Sequence, residues 1–182
     1  IPVSMPILEG KDFRLDAHDV MPLITDRSRV MIVNSPHNPT GAVLSYDDIV
    51  GLAKLAVEHD LIVISDEVYE KIIYDGTQHY CLATFPKMRE RTLVINSFSK
   101  TYAMPGLRVG CVFGPEEMIS AMVRIQQFAV ACVDGPTQYG AVSALEGPQD
   151  FVGNMVREFD RRRRLLHSRI NEIEGFRSTL PK

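Results

Sequence analysis

Tryptophan is absent from the 182 residues, and cysteine occurs three times, at Cys81, Cys111 and Cys132. An odd count, wide spacing and the lack of any CxxC exclude a disulfide framework and a zinc site. Three free thiols in a reducing, cytoplasmic compartment are the expectation. An excess of charge is lacking as well: 20 Lys and Arg against 23 Asp and Glu give a net −3. That balance offers no electrostatic basis for a nucleic-acid partner. No apolar run approaches the roughly 18 residues of a membrane span. The opening Ile1-Pro2-Val3-Ser4-Met5-Pro6 has no initiator Met and none of the basic and apolar regions of a signal peptide, so the chain reads as an excerpt or a processed product. GxSxG, HExxH and GxGxxG do not occur, which removes the commonest hydrolase, zinc-protease and dinucleotide signatures. Internal repeats and low-complexity stretches are also missing. What is present is ordinary globular material, 45% hydrophobic and 24% charged, which rules out a disordered, collagen-like or coiled-coil chain. The length suits one domain, or one domain and a piece of another.

Short apolar runs alternate with helical patterns. Arg29–Asn34, Leu61–Ser65, Thr92–Asn96 and Leu107–Phe113 read as strands, the second continuing into Asp66-Glu67-Val68-Tyr69. A short helix is expected over Asp16–Ile24, and a longer one from the cap Ser45 to about His59, with Asp47 and Asp48 in its first turn. Strands apolar on both faces, separated by a helix of about 14 residues, indicate an α/β fold with a mostly parallel sheet flanked by helices. The second half is helical: Pro115 to about Val130, Pro136 to Leu145, and Pro148 to Ile173 with apolar residues stepping by three or four and Gly175 beyond its end. Phe176–Lys182 reads as the first strand of a further domain. Arg161–Arg164 lies beside Glu158 and Asp160, as the solvated side of a helix would.

Polar clusters sit where the strands end. Asn38-Pro39-Thr40-Gly41 follows the first, Asp66 to Tyr69 the second, and Ser97-Phe98-Ser99-Lys100 the third, while Arg108 begins the fourth. In open α/β sheets ligands bind beyond the carboxyl ends of the strands. A sheltered lysine can form a Schiff base with an aldehyde. A buried Asp favours a cationic partner such as a protonated ring nitrogen. A phenol and an amide both hydrogen-bond a phenolate oxygen, and Ser with Arg suits a phosphate dianion. One molecule with all four features is pyridoxal 5′-phosphate, whose sites pair a Schiff-base Lys with an acidic partner for the ring nitrogen. Each residue also has a plainer reading: Lys100 as a surface lysine, Asp66 and the serines as backbone caps, Tyr69 as packing, Asn38 as a turn residue, Arg108 as a surface ion pair.

SPHNPTG, SDEVYEKIIY and SFSKTYAMPGLRVG, in that order and led by EGKDFRLD, resemble the class I/II aminotransferases of PLP fold type I. SxSK followed by GxRxG, with Arg108 eight positions after Lys100, is specific in combination. The resemblance implies the central part of that fold's large domain, incomplete at both ends. Residues 1–147 would belong to the cofactor-binding domain, 148–174 to a long helix leading out of it, and 175–182 to the start of a small domain. It implies a Schiff base on Lys100, which then serves as general base and acid. Asp66 would pair with the ring nitrogen, Tyr69 and Asn38 with the phenolate oxygen, and Ser97, Ser99 and Arg108 with the phosphate. Pro39 is expected to be cis. The reaction implied moves an amino group between an α-amino acid and a 2-oxo acid, in a homodimer, with no metal. His37 lies beside the site, in support or in function; Glu67 and Tyr102 read as structural. The substrate-carboxylate arginine and the ring-stacking aromatic of the family have no match in the chain. Other reactions on the same scaffold keep the same anchors: C–S lyases, decarboxylases, acyl-CoA-dependent synthases, and the aminotransferase-like effector domain of a transcription regulator.

Overall fold

The computed structural model describes residues 1–182. Its centre is a four-stranded sheet in the order β1 (Val30–Asn34), β2 (Ile62–Asp66), β3 (Thr92–Ser97), β4 (Gly110–Phe113). The β1/β2 and β2/β3 pairs are parallel, and β3/β4 is antiparallel. Register brings the carboxyl ends together: Asn34 lies opposite Asp66, and Asp66 opposite Ile95.

Helix α1 (Ala17–Val20) is shorter than the expected Asp16–Ile24. Asp16 caps it, and a 3-10 turn at Met21–Leu23 takes the rest, because Pro22 cannot donate the next helical hydrogen bond. Helix α2 (Tyr46–Glu58) starts on a capping box: Asp48 N donates to Ser45 Oγ, and Ser45 N to Asp48 Oδ2. Asp48 also accepts Arg14 Nη2 at 2.5 Å, which fastens the lead-in segment to the start of α2. The apolar face of α2 carries Ile49, Leu52 and Ala56 against Val33 and Val63 of the sheet. Leu82 and Met88 close the same core, and all seven are 3% exposed or less.

The alternation in β1 buries Met31 and Val33, but leaves Val30 49% and Ile32 70% exposed. The strand is thus apolar on both faces, as read from the sequence, and covered on one.

The long strand expected over Leu107–Phe113 is not formed. Pro105–Leu107 is a 3-10 turn and Arg108 takes a left-handed backbone (φ 52°), so pairing begins at Gly110. A Cβ at Gly110 would lie 2.8 Å from Asn96 O, so only glycine lets β4 approach β3 there. After β3 the chain turns directly into α3 (Phe98–Thr101). Then follow α4 (Glu116–Ala129), α5 (Gly135–Glu146) and α6 (Asp150–Asn171), each near its expected span. The tail forms no strand; Lys182 N donates to Gly41 O at 2.9 Å.

The four-arginine run is not simply a solvated face. Arg161 and Arg162 pair with Glu158 in solvent. The Arg163 side chain is only 7% exposed, 2.6 Å from both Asp75 and Asp160, with its guanidinium 4.1 Å from the centre of the Tyr74 ring.

Candidate active site

Strand ends and the turns after them build the site. Beyond β1, the loop from Ser35 to Gly41 contains two cis peptides, Ser35–Pro36 and the expected Asn38–Pro39. Asn34, last in β1, holds this loop: its Oδ1 accepts Asn38 N at 2.8 Å, while its Nδ2 donates to Asp66 O at 3.1 Å. Asn34 is a residue that motif reading missed. The signal was its place at the end of VMIVN, where its side chain can satisfy the backbone of both neighbouring segments.

Asp66 ends β2, and its Oδ1 accepts Val68 N at 3.3 Å. Oδ2 takes no hydrogen bond, so that oxygen is available to a cationic ligand. Three residues on, the Tyr69 hydroxyl accepts Asn38 Nδ2 at 3.3 Å. Lys100 Nζ stands 5.5 Å from the centre of the Tyr69 ring and makes no hydrogen bond or ion pair. Residues from three strand ends, Asn38, Tyr69 and Lys100, therefore meet at one place.

Ser97 caps α3. Its Oγ accepts Ser99 N at 3.1 Å and donates to Ser99 Oγ (3.0 Å) or to Val109 O (3.3 Å). The two hydroxyls thus form one group with Lys100 just after it. Arg108 adjoins that group through Val109, but its Nη1 donates to Pro105 O at 2.6 Å rather than to a serine. The guanidinium is exposed and holds its remaining donors free.

On the other side, His37, Asn38, Tyr69, Tyr74 and Pro181 line a cleft. His37 Nδ1 is 2.8 Å from Thr40 Oγ1, and burial pushes its imidazole below the ordinary value, which favours the neutral ring at pH 7. The Cys81 thiol is pushed up to about 11, by burial first and then by the charge of Glu67, so it stays protonated and is no nucleophile at neutral pH. Cys111 and Cys132 are likewise unpaired.

The donor set suits pyridoxal phosphate. A primary amine without a partner, a carboxylate oxygen without a partner, a phenol–amide pair and two hydroxyls, one of them bonded to the residue after an arginine, lie at or just beyond the strand ends. Each matches one feature of that molecule.

The family model for aminotransferase class I and II matches residues 2–182. The chain belongs to that family. It is 44% identical to an aspartate aminotransferase of Pyrococcus abyssi and 43% identical to aromatic-amino-acid aminotransferase 2 of Thermococcus litoralis, in each case over 100% of this chain and 47% of the relative. The chain thus spans about half the length of these curated relatives. Among solved structures, the aromatic aminotransferase of Pyrococcus horikoshii superimposes with a TM-score of 0.96 at 45% identity, covering 100% of this chain and 49% of that one. A double mutant of the aspartate aminotransferase of Thermus thermophilus gives 0.85 at 37%, covering 92% and 44%. The fold is that of the fold type I PLP-dependent aminotransferases, in the large-domain sheet and its helices.

Proposed function

We propose that this chain carries the cofactor-binding centre of an aminotransferase that moves an amino group between an α-amino acid and a 2-oxo acid. The observation that carries the reading is the meeting of Asn38, Tyr69 and the unpartnered Lys100 at the ends of three adjacent strands. When bound, pyridoxal phosphate supplies an aldehyde to take the amino group and a ring to accept the electron pair left at the substrate's α-carbon.

The residues divide the remaining work. Lys100 would be the amine that holds the aldehyde, and its Nζ would serve as the base and acid for the proton at the substrate's α-carbon. Asp66 keeps a proton on the ring nitrogen, since opposite charges in a partly desolvated site favour both charged forms. Tyr69 and Asn38 would hydrogen-bond the ring oxygen, and Ser97, Ser99 and Arg108 would hold the phosphate. The relatives' names make aspartate and aromatic amino acids the first donors to assay. The reading includes a homodimer and a reducing, cytoplasmic setting for the three thiols. No helix is long and apolar enough to cross a membrane.

Borohydride reduction of the full-length protein loaded with pyridoxal phosphate, followed by peptide mapping, tests it. The label is expected on Lys100. A label on Lys71 or Lys87 instead would sink the assignment.

A further inference from the structure

Glu67 stands between two residues of the site, Asp66 and Tyr69, yet its side chain bonds neither. Successive side chains leave a strand on opposite faces. The backbone at Glu67 still follows the sheet, its N–H donating to Ile95 O at 3.0 Å. Its side chain is 3% exposed, on the core side. Donors from three places in the chain converge on the carboxylate. Oε1 accepts Ser65 Oγ at 2.9 Å and Leu82 N at 3.3 Å, and Oε2 is 2.7 Å from His79 Nε2. His79 is itself only 11% exposed. Glu70 faces the same pair, with donor atoms of Glu67, Glu70 and His79 all within 4.8 Å of one another.

We infer that Glu67, clamped by His79, is a positioning residue that fixes where Asp66 and Tyr69 stand; this rests on the cofactor reading above. A short bond into a buried carboxylate is strong, and a buried carboxylate that loses a partner is costly. The contact it would control is weak by comparison. Tyr69 Oη and Asn38 Nδ2 are 3.3 Å apart, at the long end of a hydrogen bond, so a small rotation of the turn dissolves it. The turn is coupled to the anchor: Glu70 N donates to Glu67 O at 2.9 Å, and Val68 N to Asp66 Oδ1 at 3.3 Å. Releasing Glu67 frees the backbone that carries both site residues.

A purely structural role for the pair would lower stability and leave the bound cofactor's properties alone. Three measurements on the full-length protein separate the two roles: thermal unfolding, pyridoxal phosphate affinity by absorbance titration, and the pH midpoint of the bound cofactor's absorbance. His79→Ala should weaken binding roughly tenfold, the size of one lost buried hydrogen bond, and move the midpoint upward as Tyr69→Phe does. His79→Gln, which keeps a donor toward Glu67, should bring both back toward wild type. Arg14→Ala, at a residue whose only side-chain partner is Asp48 at the start of α2, should lower the unfolding temperature and change neither. Ser65→Ala removes one donor and leaves the pair; it should give a smaller shift of the same sign, and serves if His79→Ala does not fold. Wild-type affinity and midpoint in destabilised His79→Ala or Ser65→Ala protein would overturn the inference. So would an equal shift in Arg14→Ala. Failure of the cofactor reading looks different: the wild-type protein would show no Lys100-dependent absorbance at all, and the inference would fall with it.

Discussion

Removing the amine in Lys100→Ala should abolish amino transfer while some pyridoxal phosphate still binds, because the remaining contacts belong to other residues. Turnover assays and an absorbance titration check the two halves. Asp66→Ala should slow removal of the α-proton by orders of magnitude, more than it weakens cofactor binding. In the proposed role the carboxylate would act on the ring's capacity to accept electrons, which matters most in the transition state. Stopped-flow with α-deuterated substrate reads that step, and near-wild-type rates would refute the role. Tyr69→Phe should raise the pH midpoint of the bound cofactor's absorbance, since the ring oxygen loses a hydrogen bond that favours the deprotonated form; an unchanged titration would count against it. At this scale much was legible. The types and order of the strand-end residues pointed to one ligand, and the structure does bring Asn38, Tyr69 and Lys100 together. What could not be read were residues acting through the backbone. Asn34 lies outside every motif and Glu67, although inside SDEVYEKIIY, reads there only as structural; their partners lie up to 32 residues away.

Helix α2 was readable because its determinants are local: a Ser cap, Asp48 three residues on, and an apolar stripe. Its tie to Arg14 was not, since 34 residues separate them. Asp48 shows what the tie does. Burial alone would raise its carboxyl, but the Arg14 guanidinium and Ser45 outweigh burial and hold it below the ordinary 3.8. A folded-state value lowered in this way means that the unfolded chain binds the proton more readily. The stabilisation is therefore complete above the ordinary value and drains away as pH falls through the depressed one. Arg14→Ala should cost about 1–2 kcal/mol at pH 7, less than a fully buried pair because Arg14 is half exposed. The difference from wild type should shrink below about pH 4, near the ordinary carboxylate value. Urea unfolding at both pH values decides it; a constant difference would contradict the linkage. The start of β4 was misread for the opposite reason. Leu107 and Val109 have strand-like chemistry, but Pro105 and the left-handed Arg108 turn the chain before pairing begins. Arg163 was taken for surface because its acceptor Asp75 is 88 residues away.

For the whole molecule, the alternation of apolar runs with helical patterns indicated the fold class, while coverage of the sheet was invisible to it. The strands are apolar on both faces, and the sheet ends in β1 on one side and β4 on the other. Ile32 is 70% exposed on β1, and Ile125 and Phe128 are 70% and 93% exposed on α4. Unpaired edges and bare apolar surface of this kind favour association. Residues 1–182 expressed alone should accordingly bind a hydrophobic dye, sediment as more than a monomer, and hold pyridoxal phosphate weakly. They should not turn over: on the proposed reading the residues grouped at the strand ends would address the cofactor, Arg108 would serve the phosphate, and no second arginine stands among them to take a substrate carboxylate. Amino-acid-dependent conversion of the cofactor's absorbance to that of the amine form is the deciding measurement. Sustained conversion by the purified polypeptide would mean that a carboxylate-binding group already lies within these residues. Arg163 would then be a poor candidate, since Asp75, Asp160 and the Tyr74 ring occupy it, and the cleft beside His37 and Tyr69 would be the place to look.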